Sequence, residues 1–299
     1  MPDRDPREPR PEHAVVRASD GYPLAVRVHS PRGGAARATL LVHSATAAPQ
    51  AYYGRFAAFA ASRGLRVVTY DYRGIGGSRP ASLRGLDASM TDWARLDAAA
   101  VHAWVRRRFR APLVSIGHSF GGQLLGLAAE ASDVEGAVLV AAQLGYMGHW
   151  PARERAKLAF FWYGMIPAMT SAVGYLPRLG RPRRGAPEGR GARVGEVVPL
   201  AGLPPRSRPR GARSPRRVRS PRPRLQLRGR RLRAAARGGR ADGGAEARPL
   251  EHRHLAPSAL GAERIGHFGF FRPSFEATLW PEVVRFASEI GERAARSAA

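Results

Sequence analysis

The stretch PLVSIGHSFGG, Pro112 to Gly122, places a serine between two glycines, Gly117-His118-Ser119-Phe120-Gly121, behind a run of apolar and small residues. A helix-like stretch, GQLLGLAAEA, follows at once. A serine set in G-x-S-x-G between a strand and a helix stands on a sharp, strained turn with its hydroxyl presented outward. Glycines two positions to either side remove Cβ atoms that would collide with the strand and the helix. The helix start aims amide donors at negative charge forming beside Ser119. The chemistry implied is nucleophilic attack, and a serine hydroxyl needs a base for it. His267 is the best base, past the last expected strand, with Gly266 and Gly269 allowing a tight turn. Its plainer reading is a histidine packed beside Phe268 and Phe270.

Charge building on an attacked carbonyl oxygen needs two amide donors. One is that of Phe120, after the serine; the other comes from the Ser44-Ala45 turn, and the sequence leaves Ser44 and Ala45 both open. His43 and His118 belong to strand and turn and are expected to orient backbone, whereas His149, His252 and His254 read as cap or surface residues. Asp71 and Arg73 are expected to knit the loop after their strand rather than touch substrate.

These groups need a scaffold, and the periodicity supplies one. Ala14 to Ala18 and Leu24 to His29 read as strands around the turn Ser19-Asp20-Gly21. Thr39 to His43, TLLVH, is a continuous apolar run of the buried-strand kind. A helix follows from about Tyr52 to Arg63, stopped by Gly64, then the strand Leu65 to Tyr70. Met90 to Phe109 keeps Trp93, Leu96, Ala100 and Trp104 at helical spacing. The elbow strand comes next, then a helix, then Val134 to Ala142, VEGAVLVAA. Alternating strands and helices predict an α/β fold, a mostly parallel sheet flanked by helices. From Gln143 to about 177 the chain turns aromatic and proline-broken, which fits a helical cap over a site. Leu250 to Leu255 alternates as a strand, and Trp280 to Arg293 reads as an amphipathic closing helix.

Composition removes several alternatives. The chain has no cysteine, so disulfides and thiolate metal sites are excluded. No metal site and no cofactor is expected. No apolar run reaches the roughly 18 residues of a membrane span, and the polar, proline-rich start reads as a disordered tail over residues 1–13. A soluble, cytoplasmic protein is expected, its oligomeric state left open. The net charge of +26 would ordinarily point to nucleic acid or anionic membrane. Yet Lys157 is the sole lysine and asparagine is absent, the mark of a GC-rich coding sequence. Between Arg178 and Leu250 stand 22 arginines against 4 acidic residues, so 18 of the 26 net charges lie in a quarter of the chain.

With these residues in view, the chain resembles the α/β-hydrolase superfamily, closest to the bacterial serine-aminopeptidase and monoacylglycerol-lipase-like group. The resemblance rests on GYPLAVRVHSP, VHSATAAPQ, YDYRGIGGSRPASLRG, GHSFGGQ and RIGHFGFFRP, over about residues 14–177 and 250–290. It implies an eight-stranded core sheet, a helical cap and a triad in the order serine, acid, histidine, with His267 in the loop where this fold carries its histidine. The chain then divides into core residues 14–142, cap 143–177, a segment at 178–249, and core residues 250–299.

The acid is missing. The resemblance places it after the seventh strand, some 25 to 40 residues before His267, where it would fix the imidazole tautomer. The sequence there, RSPRPRLQLRGRRLRAAARGGRADGGAEARP, shows no buried strand or amphipathic helix, and its carboxylates are Asp242 and Glu246. Its composition reads as disordered or misfolded, and the acid is unknown, Asp242 being a weak candidate. One reading explains it: about residues 178–249 are translated out of frame. GC-rich codons chosen for Gln226 to Asp242, read one base later, give SSEDDGFAPRRVEAVLT, an Asp-Asp turn and then an amphipathic helix. The acid codons would overlap Gly229 to Arg231.

The function expected is a cofactor-independent serine hydrolase acting on a small-molecule acyl substrate, an ester before a thioester or amide, its apolar cap carrying Phe160, Phe161, Trp162 and Met165. The literal chain, lacking its acid, is expected to be weakly active. The alternatives are a non-catalytic module of the same fold and RNA binding through the arginine segment. The latter is disfavoured because no aromatic residue for base stacking stands between Arg178 and Leu250.

Overall fold

The computed structural model describes residues 10–33, 35–125, 134–142 and 256–298. It also describes the backbone of 224–228 and 252–254, and between 153 and 165 residues 153, 156 and 159–165. An eight-stranded sheet in the order β1-β2-β4-β3-β5-β6-β7-β8 forms its centre. β1 (Glu12–Arg17) and β2 (Pro23–His29) form an antiparallel hairpin. β2 runs antiparallel to β4 (Arg66–Tyr70). From β4 onward every pairing is parallel: to β3 (Thr39–His43), β5 (Leu113–His118), β6 (Gly136–Val140), β7 (Arg224–Arg228) and β8 (His252–His254).

Each central strand is buried along its length, as TLLVH and LVSIGH require. Alternate residues feed two cores. Leu40, Val42, Val114 and Ile116 face α1 (Gly54–Ala61) and α5 (Trp280–Ala298), meeting Phe56, Phe59, Trp280 and Val283. Leu41, Val68 and Leu113 face the opposite layer with Trp93, Val101 and Val105. That layer is one helical rod: α2 (Met90–Asp92), a π-helical stretch Trp93–Ala98, and α3 (Ala99–Arg108). Ser89 and Asp92 close its start as a reciprocal capping box. The loop after β5 leads into α4 (Phe120–Leu124).

Two expectations are corrected. β1 begins at Glu12, inside the expected tail, because His13 to Arg17 pair with β2. The helix expected from Tyr52 opens instead as a 3-10 turn, Gln50–Tyr53, ahead of α1. Within the segment 178–249, expected to hold no buried strand, Arg224–Arg228 forms β7: leucine alternates with polar residues, and the edge of β6 supplies the pairing partner. The rest of that segment, the acid candidate Asp242 included, lies outside the described residues. So does most of the expected cap, from which Phe160–Met165 forms a π-helical turn with Phe160 and Tyr163 exposed.

Candidate active site

β5 ends at His118, and the chain reverses at Ser119 with φ 53° and ψ −114° before α4 begins. That backbone region costs a non-glycine residue on the order of 1–3 kcal/mol. The surroundings hold it: Ser119 N–H donates to the Val140 carbonyl at 2.9 Å, and Gly122 N–H donates to the Ser119 carbonyl at 3.0 Å. The glycine spacing has the steric cause anticipated from sequence. A Cβ on Gly117 would lie 2.5 Å from the Gly122 Cα, and one on Gly121 would run into the His43 carbonyl.

His267, 148 residues further on, places its Nε2 2.9 Å from the Ser119 Oγ. The two groups paired from sequence are thus within hydrogen-bond reach at the carboxyl edge of the sheet. Desolvation holds the His267 imidazole below its ordinary pKa, favouring the neutral form. For Nε2 to take the Oγ proton, the ring proton must sit on Nδ1. Among the described residues no carboxylate meets His267 Nδ1.

The amide of Phe120 opens α4, where a helix has no acceptor of its own to give. Ser44 and Ala45 follow β3 beside the elbow, and both are buried. Ala45 N–H donates to the Tyr53 hydroxyl at 2.9 Å, so it must share or release that bond to receive an oxyanion.

His118 does bind backbone, as expected: its Nε2 lies 2.9 Å from the His267 carbonyl oxygen. His43 instead packs its Nδ1 2.8 Å from the Tyr70 hydroxyl. Burial drives the pKa of His118 down to about 4 and that of His43 to about 3, so both rings are neutral.

Asp71 and Arg73 knit the loop after β4. The Asp71 carboxylate accepts from Gln50 N–H at 2.7 Å, Gln50 Nε2 at 2.8 Å and Gly77 N–H at 2.9 Å. Arg73 is clamped between buried Asp97 and Asp20, at 2.7 and 2.6 Å. Trp93 stacks on Tyr72, ring centroids 5.1 Å apart, and donates to the Arg73 carbonyl. The sequence reading passed over Tyr52 and Tyr53; the signal was the adjacent pair in the turn after β3.

One family model matches the part of the chain that holds the strained serine between β5 and α4. Residues 34–176 match the family of serine aminopeptidase, S33. Over those residues the chain is similar to that family. No curated protein sequence matches it. Among solved structures, a serine hydrolase without a lid from Xanthomonas campestris is 23% identical, covers 49% of this chain and 67% of its own, and has a TM-score of 0.38. A hypothetical protein from Pseudomonas aeruginosa is 18% identical over 75% of this chain and 79% of its own, with a TM-score of 0.46. An esterase from Pyrococcus furiosus is 16% identical over 51% and 64%, with a TM-score of 0.38. The chain spans 67%, 47% and 47% of the length of the first three structures it matches. Among the described residues no cluster of side chains could hold a metal ion, and no helix is long and apolar enough to cross a membrane.

Proposed function

We propose that the chain is a serine hydrolase that cleaves carboxylic esters through an acyl-enzyme. The observation that carries the reading is the 2.9 Å contact between His267 Nε2 and Ser119 Oγ on the strained turn. Oγ attacks the ester carbonyl carbon while Nε2 takes its proton. The carbonyl oxygen becomes an oxyanion facing the Phe120 amide and one from Ser44 or Ala45. The tetrahedral adduct collapses, the alcohol leaves with the proton from Nε2, and Ser119 stays acylated. Water, deprotonated by the same imidazole, attacks the acyl carbon and restores the hydroxyl.

That no carboxylate among the described residues meets His267 Nδ1 bears on the frame of the segment 178–249. Reading that segment one base later turns the first base of every written codon into the third base of the true one. In a GC-rich gene that base is C or G. Residues 178–249 contain no Phe, Tyr, Trp, Ile, Met, Lys, Asn, Thr, Cys or His. Ser is the one residue type there whose codons cannot start with C or G. Codons with C or G first give Arg, Pro, Leu, Gln, Gly, Ala, Val, Asp and Glu, which make up the rest, and His, which that bias does not exclude but the segment lacks. In the chain, the acid codons at Gly229 to Arg231 come directly after Arg228, the last residue of β7. We therefore read the in-frame parent as the active enzyme and the literal chain as impaired on the order of ten-thousand-fold.

The test is turnover of short-chain p-nitrophenyl esters by the frame-corrected chain, with mass analysis of the acylated chain. An acyl group on the peptide holding Ser119, lost in Ser119→Ala, is the expected result. A folded chain that neither hydrolyses the ester nor accepts the acyl group would leave the non-catalytic module. Sequencing the gene tests the frame: one uninterrupted frame through codons 178–249 removes that part.

A further inference from the structure

We propose that Tyr53 and His118 are positioning residues, joined in a one-way hydrogen-bond relay that fixes the His267 loop against the loop bearing the Ala45 amide. The proposal rests on reading Ser119 and His267 as the reacting pair.

The direction of each bond follows from the atoms that cannot change roles. The Ala45 amide can only donate, so the Tyr53 oxygen accepts from it at 2.9 Å. The His267 carbonyl can only accept, so the His118 Nε2 beside it at 2.9 Å carries a proton. His118 is fully buried and neutral, which leaves a lone pair on Nδ1. Tyr53 Oη stands 2.9 Å from that lone pair and must donate to it. The chain of donors then runs Ala45 N–H to Tyr53 O–H to His118 Nδ1, and His118 Nε2–H to the His267 carbonyl. Every N–H and O–H proton on the path is donated.

The neighbouring residue repeats the connection without an intermediary. Tyr52 donates its hydroxyl to the Phe268 carbonyl. Two successive carbonyls of the base's loop are therefore held from one 3-10 turn, Gln50–Tyr53. Aromatic edges close the same contact: His118 meets Phe271 at 5.3 Å and Tyr53 meets Phe271 at 4.8 Å between centroids. A base whose ring is held by no carboxylate among the described residues depends on its backbone for aim, and a displacement of about 1 Å can cost a hundredfold in rate.

The experiment measures the rate at which a fluorophosphonate labels Ser119 in the full chain, together with imidazole nitrogen NMR of histidine-labelled protein. Asn at 118 reaches the place of Nδ1 and Gln that of Nε2, so the two substitutions separate the bonds. His118→Asn is expected to slow labelling about tenfold and Tyr53→Phe about threefold, with His118→Gln within about twofold of the parent. The NMR signal of His118 should report a neutral ring protonated on Nε2 at pH 6, which a purely steric role would not require. Parent-like rates in Tyr53→Phe or His118→Asn, equal rates for Asn and Gln, or a proton on Nδ1 each overturn the relay. A parent chain with no label on Ser119 overturns the reacting pair, and the relay's catalytic role with it; the persisting Nε2–H signal tells that failure from the others.

Discussion

At Ser119 and His267 the chemistry depends on protonation. Desolvation lowers the His267 pKa, so the base is free down to a lower pH than an exposed imidazole allows. Fluorophosphonate labelling of Ser119 should rise with pH along a single ionisation whose midpoint falls below 6.5; a midpoint above 7 contradicts the desolvated base. The elbow makes a steric prediction. Gly121→Ala drives a methyl group into the His43 carbonyl, which is strand backbone and cannot step aside. A loss of about 3 kcal/mol or more in denaturant unfolding is expected. Retention of full stability would mean that the turn is looser than described.

The elements that carry these residues are tied by the loop after β4. Asp71→Ala strips the acceptor from three donors, Gln50 N–H, Gln50 Nε2 and Gly77 N–H. Buried donors left unmet cost about 1–3 kcal/mol each, so urea unfolding should show a loss of about 3 kcal/mol, with Ser119 labelling in the surviving folded fraction little changed. Loss of labelling at full stability would instead make Asp71 part of the site. Much of this level was legible beforehand. TLLVH and LVSIGH announce buried strands through unbroken apolar runs, and Gly117 and Gly121 announce the elbow. RLQLR did not announce β7, because its arginines mask a two-residue alternation that matters only once β6 offers an edge. The π-helical stretch at Trp93–Ala98 was hidden as well: what Trp93 and Asp97 reach, the Arg73 carbonyl and side chain, lies 20 and 24 residues away. Tyr53 was invisible for the same reason, since its partner His118 stands 65 residues on.

For the whole molecule, two buried neutral histidines set the acid limit. His43 and His118 resist protonation in the folded state, with pKa values of about 3 and about 4, whereas unfolded histidine titrates near 6.5. Below pH 6.5 the unfolded chain binds more protons than the folded one, so stability is fully present above that pH and falls as pH drops toward 4. At about 1.4 kcal/mol per unit and residue, several kcal/mol should vanish between pH 7 and 4.5. His118→Gln should flatten the slope of the urea midpoint against pH; a midpoint independent of pH over that range contradicts neutral burial.

The most direct measurement is the site and rate of phosphonylation in the full chain, by mass analysis of peptides after fluorophosphonate treatment. The account predicts one adduct, on the peptide holding Ser119, absent in Ser119→Ala and at least a hundredfold slower to form in His267→Ala. An adduct on another residue, or undiminished labelling of Ser119 once the imidazole is gone, would contradict it.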